Sequence, residues 1–456
     1  MQLHPLDNVE VREDKHKYAL CAIAKGENII KYGFPIGHAT RDIAVGEKVD
    51  PSNLRSNLEG RGNWEYHPFS HSRASVKQKT FMGYLRKNGD VGIRNELWIV
   101  PTVGCVNGIA RKLAEKGGAK ALCHPYGCSQ LGGDHETTMK VLRGLVKHPN
   151  AGGVLVLGLG CENNGIETFR EFLGEIDEER IRFLNVQDCE NEMKDGLAIL
   201  EELTQIIKKD ERVPVPYSKL RIAVKCGGSD AYSGITANPV VGHVADLFYD
   251  YDATVLMSEI PEVFGAEQIL LARSANRAAF DKTARMIQAF RQYFIDHGEG
   301  IADNPSPGNI AGGISTLEEK SLGCVQKAGR LPLCGALNFG ETPNGSGLYM
   351  VNGPGNDMVA VTTLAASGAH MILFTTGRGT PLCGPVPTLK IATNTPLYEN
   401  KKHWIDFNAG TALNGDLSAV SKSLFDLCIQ TAEGKITVGE TYGYEDIAIF
   451  KSGITL

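Results

Sequence analysis

Eleven cysteines occupy this chain, and several lie in glycine-rich turns beside other polar groups. The clearest run is His124-Pro125-Tyr126-Gly127-Cys128-Ser129-Gln130, which continues to Asp134-His135-Glu136. Gly158-Leu159-Gly160-Cys161-Glu162 and Lys225-Cys226-Gly227-Gly228-Ser229-Asp230 follow. Thiolate and imidazole suit zinc or iron, whereas carboxylates and substrate oxygens suit harder ions. Cys128, Cys161 and Cys226 are therefore candidate metal ligands. No CxxC pair is present, so they would have to converge from separate loops. The competing reading is a small buried hydrophobe that packs a turn. It is preferred for Cys21, Cys123, Cys189, Cys334 and Cys428.

Other polar turns carry further candidates. Gly377-Arg378-Gly379-Thr380 combines backbone N–H groups with a guanidinium, which suits a carboxylate or phosphate. A purely structural loop fits it equally. Arg94-Asn95 reads as a carboxylate clamp or as a surface ion pair. Asp357 ends the turn that starts at Gly353, and could bind a hydroxyl or a metal. His38, between Gly37 and Ala39, has the titration range for acid–base work, against the plainer reading of a surface histidine. Nucleotide binding has little support. There is no Walker loop, and Asn163 stands where a dinucleotide fingerprint needs its third glycine.

These groups need elements to position them. Residues 1–65 contain short strand candidates (Val9–Val11, Tyr18–Ile23, Asn28–Tyr32) separated by small turns, which predicts a compact β-rich module. Residues 66–80 read as a linker that includes His67, Ser70, His71, Ser72 and Arg73. From residue 81 strands and helices alternate, which predicts parallel sheets with crossover helices. Val213-Pro214-Val215-Pro216 divides a first α/β domain, 81–215, from a second, 216–456. Helices are predicted over 107–116, 134–146 with Asp134 as N-cap, 190–209, and from Ile269 to about His297. In open α/β sheets, ligands bind beyond the carboxyl ends of the strands. His124, Cys128, Cys161, Cys226, Asp230 and Arg378 all follow strand candidates, and that repetition is the argument.

Composition sets the frame. A chain of 456 residues exceeds one ordinary core, and 42% hydrophobic residues is normal for a globular protein. The net charge of −6, with no long basic run, argues against nucleic acid. An odd cysteine number in a large chain points to a reducing, cytoplasmic setting. No signal peptide and no apolar run of about 20 residues is visible, so no membrane association is expected.

Taken together, these segments resemble the altronate dehydratase family, within the wider altronate/galactarate dehydratase group. The residues that carry the resemblance span Lys31 to Thr40, Gly92 to Glu96, Tyr126 to Glu136, Gly158 to Asn164 and Cys226 to Ala231. They continue through Asn304 to Asn309, Glu318 to Cys324 and Phe374 to Thr380. The resemblance implies an N-terminal β-clip domain of the SAF type, followed by α/β domains. It also implies a metal-dependent hydro-lyase supported by ferrous iron, with another divalent ion as the alternative. The implied substrate is D-altronate and the product 2-dehydro-3-deoxy-D-gluconate, in hexuronate breakdown. One departure stands out. The family's β-clip continues with two histidines in a Val-His-x-His-Asn-Leu segment. Here that segment is Val49-Asp50-Pro51-Ser52-Asn53-Leu54.

The reaction implied is β-elimination of water from a 2,3-dihydroxy acid. A base removes the weakly acidic C2 proton, an acid protonates the departing 3-hydroxyl, and a cation stabilises the enediolate. His38 and His124, with His135 in reserve, are the expected acid–base groups. Arg94, Asn95, Arg378 and Asp357 are expected on the substrate, and Cys128, Cys161 and Cys226 on the metal. The expected partner is a small sugar acid, and a homo-oligomer is left open. The rivals are a dehydratase or lyase for galactarate or another hydroxy acid, and a non-catalytic sugar-acid-binding protein.

Overall fold

The computed structural model describes residues 3–58, 62–69, 76–301 and 304–456. Ser70, His71, Ser72 and Arg73 of the expected linker lie outside the described residues.

Residues 3–58 contain strands but no helix among those described. Val9–Val11, Lys17–Ala19 and Lys48–Val49 form one antiparallel sheet, and Asn28–Lys31, Phe34–Ala39 and Leu54–Arg55 form another. Their inward residues, Val9, Ala19, Ile29, Ile36, Ala39, Val49 and Leu54, are buried, as period-2 alternation requires. This is the expected β-clip module. Asp50 and Ser52, which stand at the two missing histidines, hydrogen-bond each other in a turn (Ser52 Oγ to Asp50 Oδ1, 2.7 Å).

The next domain has a four-stranded parallel sheet in the spatial order Lys120–Ala121, Glu96–Pro101, Ala151–Gly158, Ile181–Asn185. Helices Asn107–Gly117, Asp134–Val146, Ile166–Leu173 and Glu192–Ile207 cover it. Gly133, not Asp134, holds the N-cap position of the second helix. The Asp134 carboxylate instead accepts the backbone N–H groups of Ser452 and Gly453 and so ties down the C-terminal tail. Val213–Pro216, where the two α/β domains were expected to divide, is a strand that pairs antiparallel with Thr80–Leu85.

The last domain holds a seven-stranded, wholly parallel sheet. Its spatial order is Leu333–Leu337, Gly347–Val351, Thr254–Met257, Arg221–Cys226, Met371–Thr376, Thr388–Ala392, Phe407–Asn408. The first strand in sequence, Arg221–Cys226, is central. The chain leaves it to one side through Thr254–Met257, and later places Met371–Thr376 on its other side. A topological switch point therefore lies between Arg221–Cys226 and Met371–Thr376, and a crevice opens beyond their carboxyl ends. The long helix expected from Ile269 is two helices, Glu267–Leu271 and Arg277–Asp296, because the Asn276 side chain caps the second by accepting from Ala279 N–H. The helices Asp134–Val146 and Asp357–Ala366 join the two α/β domains so closely that a Cβ at Gly144 would lie 2.0 Å from the Ala366 carbonyl oxygen. Among the described residues, no helix is long and apolar enough to cross a membrane.

Candidate active site

The switch-point crevice holds a buried network of ionisable groups. Lys225 and Cys226 end the central strand, so their side chains leave opposite faces of the sheet. Lys225 Nζ, fully buried, pairs with Glu259 and with Asp357 Oδ1 at 2.7 Å. Glu259 also takes Lys327 Nζ at 3.0 Å and the Cys226 backbone N–H at 3.2 Å. Glu259 has a left-handed φ of +72° although it is not glycine, and such strain collects at functional sites. Glu262 takes Lys320 at 2.8 Å and lies 3.1 Å from Cys324 Sγ. Burial alone would discharge these lysines, but the carboxylates prevail. Lys225, Lys320 and Lys327 are all held above the ordinary lysine range. Burial likewise raises Glu262, yet Lys320, Lys225 and Lys327 outweigh it and keep the carboxyl below its usual range.

On the opposite face, Cys226 Sγ lies 2.8 Å from Ser229 Oγ. Its thiol is pushed down to about 5, first by a hydrogen bond from Cys324, against burial, with help from Lys327 and Ser229. The same bond, with burial, pushes Cys324 well up. The Cys324 proton has two acceptors in reach, the Cys226 sulfur and Glu262, and its bond to Cys226 favours the thiolate there.

Asp230 is buried beside this network. It accepts from Thr393 at 2.9 Å and Asn394 at 3.2 Å, and pairs with Lys15 of the β-clip at 2.9 Å. A Cβ at Gly377 would lie 2.2 Å from the Asp230 carboxyl carbon, so the loop that carries Arg378 can approach only through glycine. The β-clip adds Lys17 and Lys31, which clamp Glu319 at 2.8 and 2.7 Å. A cleft of about 1290 Å³ between the β-clip and the last domain ends at Lys31, Tyr32 and Gly234. Behind them lies a chamber of about 10 Å³ lined by Ser229, Asp230, Lys320 and Cys324. That is room for about one water, so a sugar acid enters only if side chains here move. The Asp357 side chain, one-third exposed, forms the open lip on the other side.

The candidates from sequence divide sharply. Cys226, Asp357 and Arg378 stand at the crevice. Arg378 is exposed on its rim. Arg94 does not clamp substrate. It is buried at the opposite, amino end of its strand, where Glu440 (2.6 Å) and the carbonyls of Thr431 and Lys435 satisfy it. Asn95 is equally structural, bonded to Arg86 and to the Ile207 carbonyl. His124 is buried between the Pro101 carbonyl and the Tyr126 N–H, and burial lowers it to about 4. It is a neutral packing group rather than an acid–base catalyst. His135 lies in the first turn of its helix, with Nδ1 buried and lacking a hydrogen-bond partner among the described residues. His38 bonds Asn57 at 2.7 Å, and Asn57 N–H reaches Glu318. It thus stands at the β-clip seam, outside the buried network. Cys21, expected to be buried, is exposed.

The three expected metal thiols do not converge. Cys128 (beside Asn163) and Cys161 (beside Gln187) belong to the smaller sheet, and Cys226 to the larger. Among the described residues, no group of three or more His, Cys, Asp or Glu side chains is placed to hold an ion. At the crevice, lysine ammoniums take the carboxylate oxygens a ferrous ion would need. The residues present do not make a ready site for that ion.

Sequence reasoning missed Glu259, Glu262, Lys327 and Lys390. Glu259 was within reach of the strand-end rule, since it follows Thr254–Met257 by two residues. Lys327 lies in a short turn after a helix, where no periodicity marks it.

Comparison with known proteins agrees with this architecture. Three family models match in order: the altronate/galactarate dehydratase SAF domain over 7–57, the D-galactarate dehydratase/altronate hydrolase second domain over 83–208, and the D-galactarate/altronate dehydratase C-terminal domain over 217–455. The chain is 48% identical to an altronate dehydratase of Bacillus subtilis and 48% identical to one of Escherichia coli, in each case over 98% of this chain and 94% of the relative. It is 32% identical to a galactarate dehydratase (L-threo-forming) of Escherichia coli, over 98% of this chain and 91% of the relative. With three domain models in one order and near-complete coverage by its relatives, the chain belongs to the altronate/galactarate dehydratase family of hydro-lyases.

Proposed function

We propose that this protein dehydrates D-altronate to 2-dehydro-3-deoxy-D-gluconate in hexuronate catabolism. The observation that carries the reading is 48% identity, along almost the whole chain, to two altronate dehydratases. The buried network supports the chemistry. Lys225 and Lys327 are held charged at the carboxyl end of the sheet, where they can stabilise an enediolate as the C2 proton leaves. Lys320, charged beside Glu262, is fit to protonate the departing 3-hydroxyl. Arg378 on the rim suits the substrate carboxylate. The enol then tautomerises to the 2-keto acid.

The test is to incubate anaerobically purified protein, ferrous-loaded in one arm and chelated in the other, with D-altronate and assay the 2-keto-3-deoxy acid. Product from altronate supports the reading. Product only from galactarate or another aldonic or aldaric acid keeps the elimination and moves the substrate. Binding of sugar acids without turnover would favour a silent binding protein. Comparison of the two arms reads the ferrous requirement directly.

A further inference from the structure

Among the described residues, one buried lysine at this crevice, Lys390, has no ion pair. Lys390 lies in the strand Thr388–Ala392, two strands from Lys225. Register places Lys225, Phe374 and Lys390 side by side on three adjacent strands, so all three project from one face. The Phe374 ring separates the two amines. Lys390 Nζ stands 3.6 Å from its centroid, and Lys225 Nζ stands 5.5 Å away. That face is closed by Asp357, whose carboxylate lies within 2.6 Å of where a Gly227 Cβ would be, and so does the tip of the Phe374 ring. Asp357 is already engaged by Lys225. Lys390 Nζ is buried and has no hydrogen-bond partner among the described residues.

A buried ammonium with no partner is costly, and a buried group left unsatisfied calls for a reason. The contrast with its neighbours supplies one. Lys225, Lys320 and Lys327 each have a carboxylate and stay charged. Lys390 has an aromatic face and no bonded carboxylate, so its proton is held less firmly than theirs. We propose that Lys390 is the base that takes the C2 proton of the sugar acid. The inference rests on the dehydratase reading above. In the step, the neutral amine of Lys390 accepts the C2 proton, and the C–H electron pair passes into the enediolate. That pair then forms the C2–C3 double bond as the C3–O bond breaks, and the leaving hydroxyl departs as water with a proton from an acid. Asp357, one-third exposed, is where this face meets solvent, so substrate meets Lys390 only as the Asp357 side chain moves aside.

Titration agrees with the geometry. Burial, with the like charge of Lys225, lowers Lys390 to about 8, while Cys383, Asp357 and Asp406 pull the other way. A base of that strength is partly neutral at working pH, which is where proton abstraction is efficient.

The experiment compares wild type with Lys390→Met and Lys390→Arg. Turnover, proton exchange at C2 in heavy water and the pH profile are read on whichever sugar acid the wild type turns over. The proposal expects kcat of Lys390→Met to fall by roughly 100-fold or more, with KM little changed. It expects C2 exchange to stop, and the limb of the kcat/KM profile that rises towards pH 8 to vanish. Lys390→Arg keeps the charge but cannot act as a base, so it should be as inactive as Lys390→Met. Retention of kcat within about fivefold, or survival of the limb, overturns the assignment. Circular dichroism of each variant separates this loss from unfolding. A second readout needs no substrate. In wild type labelled at lysine side-chain carbons, one resonance should titrate near pH 8 and disappear in Lys390→Met. No such resonance overturns the proposal, even if altronate is turned over. A titrating lysine in a protein that turns over no sugar acid refutes the dehydratase reading, and the base assignment with it.

Discussion

Glu259 holds Lys225 through one carboxylate oxygen and Lys327 through the other, and none of the three side chains reaches solvent. Glu259 leads in keeping Lys225 charged, with Asp357 behind it, and for Lys327 it acts after Cys324. Removing a partner from a buried pair leaves an uncompensated charge, which costs about 3–5 kcal/mol. Glu259→Gln should therefore lose stability on that scale in urea unfolding, and should lose turnover with it. A loss below ~1 kcal/mol, as for an exposed pair, would mean that water reaches the site.

Three histidines make the protein acid-sensitive. Burial lowers His124 to about 4 and His148 to about 3, and takes His370 well below its ordinary value. The unfolded chain therefore binds these protons first. Stability is full above the unfolded value of ~6.5 and falls as the pH drops from there towards 4. His124 alone accounts for up to about 3 kcal/mol across that window. Urea midpoints measured at intervals from neutral pH down to 4.5 should decline steadily. A flat profile would show that the histidines are hydrated in solution.

Arg94 separates structure from catalysis. Its guanidinium joins the start of the Glu96–Pro101 strand to Glu440 and to the Thr431 and Lys435 carbonyls. Arg94→Ala should lower the melting temperature, at a cost of about 3–5 kcal/mol, yet leave KM unchanged in the protein that remains folded. A raised KM with an unchanged melt would restore the clamp reading.

Cys226 should be visible as a thiolate. Its pKa is lowered to about 5 by the Cys324 hydrogen bond, against burial, with Lys327 and Ser229 assisting. Thiolate absorbance should rise as the pH passes upward through about 5, and that step should be missing in Cys226→Ser. Cys324→Ala removes the donor and should move the step to higher pH. An unchanged step in Cys324→Ala would mean that Lys327 and Ser229 suffice.

The layout was legible in the sequence where a local rule governs it. Short strand candidates between small turns gave a compact β-rich module, which the family resemblance identified as a β-clip, apolar runs followed by polar turns gave the parallel sheets, and the strand-end rule located Cys226 and Asp230. Legibility failed where long-range geometry decides. Arg94 and Arg378 both lie within two residues of a glycine, but one lies at the amino end of its sheet and the other at the carboxyl end. Cys128 and Cys226 both follow strands, but of different sheets. His124 follows a strand too, yet faces into the packing. Lys390 offers no local signal at all, because its meaning depends on Phe374 and on carboxylates that pair with other lysines.

The lysines of the β-clip have a bearing on inheritance. Lys15 reaches Asp230, and Lys17 and Lys31 share Glu319. Those contacts join positions 215 to 302 residues apart in the chain, and each ends on a carboxylate buried in the other module. A β-clip brought in from a relative by recombination, with neutral residues at 15, 17 and 31, would strip Glu319 of Lys17 and Lys31 and Asp230 of Lys15, the ammonium groups that pair with them among the described residues. The first module and the last can therefore diverge in sequence only as a matched set, and shuffling their coding segments would select for these charges before it selected for any difference in substrate.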